Sequence, residues 1–176
     1  MQKVKLLFLY AGLIMLCSAQ KPAADPAKVQ WITLDEATAN LLKDKRPVLI
    51  DLYTDWCGWC KVMDKETYGN NAVASYINEN YYAVKFNAES KDSAELGGKK
   101  YGYNPSYKAN DLAVYLLLGR MGYPSTVLLS SLDAQPAPLS GFLNPSELEA
   151  PLKFFGDGTY KNQNFPDFMK SFITKW

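Results

Sequence analysis

The chain has 176 residues, 48% of them apolar and 21% charged, with a formal net charge of +1. These values describe one globular domain with a sizeable core and exclude a disordered segment. No basic block stands out, so nucleic acid is not expected as a partner. There is no histidine, which excludes Ser-His-Asp and Cys-His hydrolases and any His-ligated metal site.

Lys3 and Lys5 precede an apolar run of 12 residues, Leu6 to Cys17, and Cys17-Ser18-Ala19 has the small-residue character of a cleavage site. The sequence therefore predicts a signal peptide over residues 1–19. The run is short for a membrane span, which takes about 17–25 residues. An uncleaved anchor and lipidation at Cys17 stay open as alternatives, although a lipoprotein signal favours a smaller residue than Leu16 before its cysteine. Cleavage removes Lys3 and Lys5 and takes the formal charge from +1 to about −1. Export to an oxidising compartment permits disulfide chemistry.

Residues 20–28 read as a short Pro/Ala linker and 29–176 as one domain. Val29-Gln30-Trp31-Ile32 suits an edge strand. Thr33 and Glu36 make a capping box, and a helix is predicted to about Asp44, with Leu34, Ala37, Leu41 and Leu42 on its buried face. Leu49 to Thr54 reads as a central strand, apolar in its first half except for Asp51. A helix is predicted from the cysteines to about Tyr68, and another, Ala72 to Asn78, capped by Asn71. Tyr82 to Phe86 alternates as a strand. Residues 91–103 begin helically but contain Gly97, Gly98 and Gly102. Asp111 to Leu118 reads as a buried helix, with Asn110 or Asp111 as N-cap and Gly119 beyond its end. Thr126 to Ser130 and Pro138 to Phe142 form a hairpin. Asn144-Pro145-Ser146-Glu147 opens a helix with Pro at N1, which Pro151 is expected to kink or divide. Phe165, Phe168, Met169, Phe172, Ile173 and Trp176 recur at helical spacing and predict an amphipathic terminal helix. A parallel half followed by a hairpin half, with helices on both faces, is an α/β sandwich.

Cys57 and Cys60 lie where the central strand hands over to a helix. The first turn of a helix offers unpaired N–H groups and partial positive charge, which favour a thiolate on Cys57. Cys60, one turn on, can close a disulfide with it. A structural bridge and half a zinc site are the competing readings. A four-residue loop constrains the unfolded chain little. Zinc needs two further ligands, and no histidine or other mature cysteine supplies them. Asp51 is the second informative residue: a carboxylate in an apolar strand is costly to bury charged, so its pKa should rise.

The strand Val48 to Tyr53, the motif Trp56-Cys57-Gly58-Trp59-Cys60-Lys61, the strand Val84-Lys85-Phe86-Asn87, the run Gly122-Tyr123-Pro124-Ser125-Thr126 and Gly141 stand in the order of the thioredoxin-fold family. Over roughly residues 29–155 the chain resembles the exported thioredoxin-like thiol–disulfide oxidoreductases of that family, and it is similar to thioredoxin and to the C-terminal domain of the membrane thiol:disulfide interchange protein. The resemblance implies a thioredoxin-like α/β/α sandwich with a mixed central sheet. It would carry an enlarged helical insert at about 91–119 before the cis-proline strand, and an extra C-terminal helix within about 157–176. Cys57 would be the nucleophile, with Gly58 leaving room for a substrate disulfide, and Cys60 would resolve the mixed disulfide. Asp51 would be the buried acid that takes the proton of Cys60, with Lys85 beside it. Pro124 would be cis, turning the Tyr123 backbone toward an extended substrate, and Trp56 would line the site. The competing readings are Asp51 at a solvated edge, Lys85 reaching outward, and a trans Pro124 at the start of a strand.

Trp59 stands where thioredoxins proper carry proline. It offers an apolar docking surface or packs on the insert. Tyr101, Tyr103 and Tyr107 form a substrate-contacting rim or cover core. The function implied is that of an exported, periplasmic enzyme with no cofactor or metal, expected to be a monomer. It would exchange its dithiol with disulfide-containing protein substrates, as reductant or interchange factor, and draw electrons from a membrane thiol donor. The alternative is a binding module on the same fold, chaperone-like or carrying copper(I) on its thiolates.

Overall fold

The computed structural model describes residues 27–176. The expected signal peptide, Cys17 and most of the linker lie outside the described residues. At the centre is a five-stranded sheet. Across it lie Trp31–Ile32 (β1), Tyr82–Asn87 (β3), Val48–Tyr53 (β2), Ser125–Leu129 (β8) and Ala137–Ser140 (β9). β1 and β2 run parallel to β3, β8 is antiparallel to β2, and β9 is antiparallel to β8. Successive side chains of a strand face opposite sides. Val48, Ile50 and Leu52 therefore join one core, with helices Leu34–Leu41 (α1) and Asp111–Leu116 (α4). Leu49 joins the other, with Gly58–Glu66 (α2), Asn71–Asn80 (α3) and Pro145–Gly156 (α5). A strand covered on both faces is apolar almost throughout, which is why β2 reads as a continuous run.

Local signals set most of the element ends. In the capping box of α1, Glu36 N–H donates to Thr33 Oγ1 (3.1 Å) and Thr33 N–H to Glu36 Oε2 (2.8 Å). That helix stops at Leu41, so Leu42 falls off its buried face and is 88% exposed. The cap of α3 is Asn70, not Asn71: its Oδ1 accepts from the N–H groups of Ala72 (2.9 Å) and Val73 (3.3 Å). Pro151 does not divide α5. Leu148 and Leu152 flank it in sequence and both are fully buried, so core packing on either side outweighs the hydrogen bond that proline forfeits.

The insert departs from its expected helical start. Ala94–Leu96 (β4) and Lys99–Tyr101 (β5) pair antiparallel across Gly97 and Gly98, whose φ angles are 58° and 76°. Two consecutive positive φ values make the hairpin turn that matches strand twist. Those glycines are a turn, not breaks in a helix. A second small hairpin joins Tyr103–Asn104 (β6) to Ala109–Asn110 (β7), and α4 follows as the helical part. Tyr101 is buried in the core and stacks near Tyr115, Tyr103 is half-buried, and Tyr107 is exposed.

The C-terminal extension contributes a 3-10 turn at Thr159–Lys161 and a short helix, Phe165–Met169 (α6), rather than one continuing to Trp176. The last three residues are held instead by Glu149, a fully buried carboxylate of α5. Its Oε2 accepts from Thr174 Oγ1 (2.6 Å) and from the N–H groups of Lys175 (2.6 Å) and Trp176 (3.0 Å), while Lys153 Nζ donates to Oε1 (2.7 Å). Amides held by this carboxylate cannot also serve a helical ladder. Trp176 then packs on Tyr76 at 5.5 Å between centroids.

Burial alone would raise the pKa of Glu149, but hydrogen bonds from Lys153, Thr174, Lys175 and Trp176 outweigh it and bring the value down to about 2, against an ordinary 4.5. A depressed folded pKa contributes stability above the unfolded value, and that contribution is lost as pH falls through the folded one. The urea midpoints of the wild type and Glu149→Gln should therefore lie farthest apart above about pH 5 and converge toward about pH 2. A gap that stays constant over this range would show that the ionised carboxylate is not what holds the tail.

Candidate active site

The site is built on the end of β2 and the start of α2. Cys57 is the N-cap of α2, and its Sγ accepts from Cys60 N–H at 3.1 Å. The two cysteines form a disulfide. Each is 4% exposed. A side chain built at Gly58 would meet nothing within 4 Å.

Beneath the cysteines runs a row of polar side chains. Asp51 of β2 is in register with Thr126 of β8 on one side and Lys85 of β3 on the other. By strand alternation all three face the α2 side of the sheet. Asp51 and Thr126 are buried. Lys85 Nζ donates to Asp51 Oδ2 at 2.7 Å and also to Asp64 Oδ1 of α2. Its ammonium lies 5.2 Å from the Trp31 ring centroid and 5.0 Å from that of Tyr53, within cation–π range. The Tyr68 hydroxyl and Thr126 Oγ1 share a hydrogen bond of 2.8 Å. Asp51 Oδ1 and Thr54 Oγ1 are buried with no partner among the described residues.

Burial pushes the Asp51 carboxyl up. Lys85 opposes this through its charge and its hydrogen bond, Asp64 adds to it, and the result is about 6 against an ordinary 3.8. The same burial, reinforced by the charge of Asp51, holds the Tyr68 hydroxyl well above its usual range.

Around the sulfurs lies an aromatic rim. Trp56 and Trp59 are 68% and 63% exposed. Trp56 sits edge-on to Tyr123, centroids 6.1 Å apart, and its Nε1–H donates to Glu89 Oε1 at 3.0 Å. Trp59 packs on Phe142 at 5.5 Å, on the far side from the insert. The Tyr123–Pro124 bond is cis, and the Pro124 carbonyl accepts from Gly141 N–H at 2.9 Å. The structure thus joins Asp51 to Lys85, Cys57 to Cys60 and Trp56 to Tyr123, and leaves Trp59 with its own neighbour, Phe142. Sequence reasoning missed Asp64 and Glu89. Asp64 falls one turn after Cys60 on α2, and that spacing is the signal that could have found it. Nothing local marks Glu89.

The fold superposes on a structure described as DsbH Oxidoreductase with a TM-score of 0.54, over 79% of this chain and 92% of that one, at 15% identity. The chain is a thioredoxin-fold protein. A thioredoxin-fold protein from Helicobacter pylori gives the same TM-score of 0.54 over 72% of this chain and 80% of its own, at 18% identity. The Thioredox_DsbH family model, a protein of unknown function (DUF255), matches residues 18–101. A thiol:disulfide interchange protein DsbD from Pseudomonas sp. is 37% identical over 76 residues, 43% of this chain and 12% of that protein. An uncharacterized Caenorhabditis elegans protein is 24% identical over 127 residues, 72% of this chain and 16% of its own length. The chain thus spans a small part of these curated relatives. No helix among the described residues is long and apolar enough to cross a membrane.

A carboxyl whose folded pKa is raised carries a cost that is absent below its unfolded value and fully present above its folded one. For Asp51 that window runs from about pH 4 to about pH 6. Asp51→Asn should gain stability over the wild type by roughly 3 kcal/mol on going from below to above the window. Urea unfolding of the oxidised proteins at several pH values measures it. A difference that does not change with pH would mean that Asp51 ionises in the folded chain without penalty.

Proposed function

We propose that the chain is an exported, periplasmic thiol–disulfide oxidoreductase that acts on protein disulfides as reductant or interchange factor. The observation that carries this reading is the Cys57–Cys60 pair at the N-terminus of α2, with the Cys57 sulfur accepting a helix N–H. Developing negative charge on that sulfur is stabilised by the N–H and by the helix dipole. In the reduced form the Cys57 thiolate attacks a substrate disulfide, and one substrate sulfur leaves as a thiolate. Cys60 gives its proton to Asp51 and attacks Cys57, and the second substrate sulfur leaves. Two electrons pass to the substrate and the Cys57–Cys60 disulfide is formed. A base with a pKa near 6 is matched to this work at neutral pH. Lys85 steadies Asp51 in its charged form.

Trp56, Gly58, Trp59, Tyr123 and Pro124 would receive the substrate segment, the Tyr123 backbone by strand-like pairing and the tryptophans by apolar contact. Each turnover leaves the pair oxidised, so an exported reductant needs a dithiol donor, and a membrane thiol protein is the partner this chemistry calls for. The partial likeness to DsbD supports a place in that kind of exchange.

Cys60→Ser removes the resolving thiol and should leave mixed disulfides on Cys57. They would appear as adducts on non-reducing gels and vanish with dithiothreitol, whereas Cys57→Ser should form none. No adducts from an extract rich in exported disulfide proteins, combined with tight copper(I) binding by the wild type, would favour the binding-module reading. Asp51→Asn should slow release from the mixed disulfide about a hundredfold at pH 7, the lower end of general-base effects. Release rates with the same pH profile in both proteins would remove Asp51 from the proton path.

A further inference from the structure

The proton path through Asp51 leaves one oxygen of that carboxylate unused. Oδ2 accepts from Lys85 Nζ at 2.7 Å, while Oδ1 is buried with no partner among the described residues. A buried acceptor left unpaired is costly, and more so when it carries charge. The ionised form of Asp51 therefore gains from any donor that its surroundings can turn toward Oδ1.

One donor is left over beside it. Tyr68, just beyond α2, and Thr126 of β8 are both buried, and their hydroxyl oxygens lie 2.8 Å apart. Each hydroxyl carries a proton and can also accept. The bond between them uses one of these protons, and neither hydroxyl makes another hydrogen bond among the described residues. The phenol is the more acidic of the pair and so the better donor. Burial first and the charge of Asp51 second hold it protonated well beyond the range in which Asp51 titrates. With Tyr68 donating to Thr126 Oγ1, the unused proton is that of Thr126. Thr126 is the β8 residue directly opposite Asp51 on β2, and the two face the same side of the sheet. Side chains paired in this way lie about 4.5–5.5 Å apart at Cβ. A short turn of the carboxylate or one bridging water spans such a gap. The other buried oxygen without a partner, Thr54 Oγ1, lies beyond the end of β2.

We propose that Thr126 and Tyr68 are positioning residues of the proton acceptor: the Thr126 hydroxyl, oriented by Tyr68, donates to the free oxygen of Asp51 and favours its ionised form. The effect on turnover rests on the redox reading above, whereas the donor itself does not. Both residues act through Asp51. The titratable groups around that carboxyl are Lys85 of β3, Asp64 of α2 and Tyr68, with the two cysteines once reduced, and β8 adds none.

The Asp51 carboxyl carbon, followed by NMR in the oxidised protein, reads the titration with no substrate present and no free thiol. Thr126→Val should raise the midpoint by about one unit, the lower end of what a hydrogen bond to a charged group supplies. Thr126→Ser keeps the hydroxyl and should stay near the wild type. Tyr68→Phe keeps the ring contact with Trp31 at 5.0 Å. It should raise the midpoint by a few tenths of a unit, since each bond in a chain strengthens the next by roughly 10–30%. It should add nothing in the Thr126→Val background. With reduced protein and insulin as the probe disulfide, the acid limb of the pH–rate profile should move up with the midpoint. A midpoint indifferent to Thr126→Val, a Thr126→Ser as displaced as Thr126→Val, or a Tyr68→Phe shift that survives in the Thr126→Val background would each overturn the proposal. A shift with Thr54→Val in place of Thr126→Val would pass the role to Thr54 and overturn it as well. If the midpoint follows Thr126 while the wild type reduces no disulfide, or while the rate profile stays fixed, the proton path through Asp51 fails and the donor stands.

Discussion

A carboxylate in the middle of a sheet covered on both faces has few arrangements that tolerate it, and Asp51 constrains the site through that fact. Its strand is central, so water reaches it from neither edge. Its charged form depends on one cation, which the register of β3 places opposite it as Lys85. Lys85 in turn needs its own surroundings: the rings of Trp31 and Tyr53 and the second carboxylate, Asp64. Asp64 has a side chain 41% exposed, so one ammonium links a buried acid to one in contact with solvent. β1, although only Trp31–Ile32, has its place in the sheet here: it carries one wall of the lysine's enclosure. The parallel half of the sheet and the first turns of α2 are in this sense organised around the proton-binding group as much as around the sulfurs.

The two tryptophans of the motif are equally exposed but unequally held. Trp56 has a directional bond and an edge-on neighbour. Trp59 has Phe142, which follows β9 and leads to the cap of α5. A hydrogen bond fixes orientation, whereas a ring contact of this kind leaves it freer. The rim around Cys57 thus has one determined side and one adaptable side.

What the sequence made legible follows from distance along the chain. The capping box at Thr33, the helix start with Pro145 at N1, the strand-to-helix position of the cysteines and the anomaly of Asp51 all lie within a few residues, and the fold bears each of them out. The contacts that escaped are long-range: Trp56 to Glu89 over 33 residues, Lys85 to Asp64 over 21 and Trp176 to Glu149 over 27. No periodicity encodes such a pairing, because it links two windows of the chain that local patterns read separately. The insert failed for another reason. Strands of two or three residues are too short for a period of 2 to show against one of 3.6, and Gly97-Gly98 was ambiguous between a broken helix and a hairpin turn.

The insert and the C-terminal tail, the two additions to the minimal sandwich, are fastened alike, each through one fully buried polar side chain that bonds to backbone groups: Asn110 for the insert, Glu149 for the tail. Apolar contact alone would let such segments slide. A buried amide or carboxylate admits one register, because any other leaves its polar atoms without partners. The two anchors differ in what they reach. Glu149 ties Thr174 to Trp176 onto α5, where Trp176 meets Tyr76 of α3, and none of these contacts includes a residue of the site. Asn110 ties the insert to the turn after β3, one step from Trp56. Of the two additions, the insert is the one tied to the candidate site, through the turn that carries Glu89.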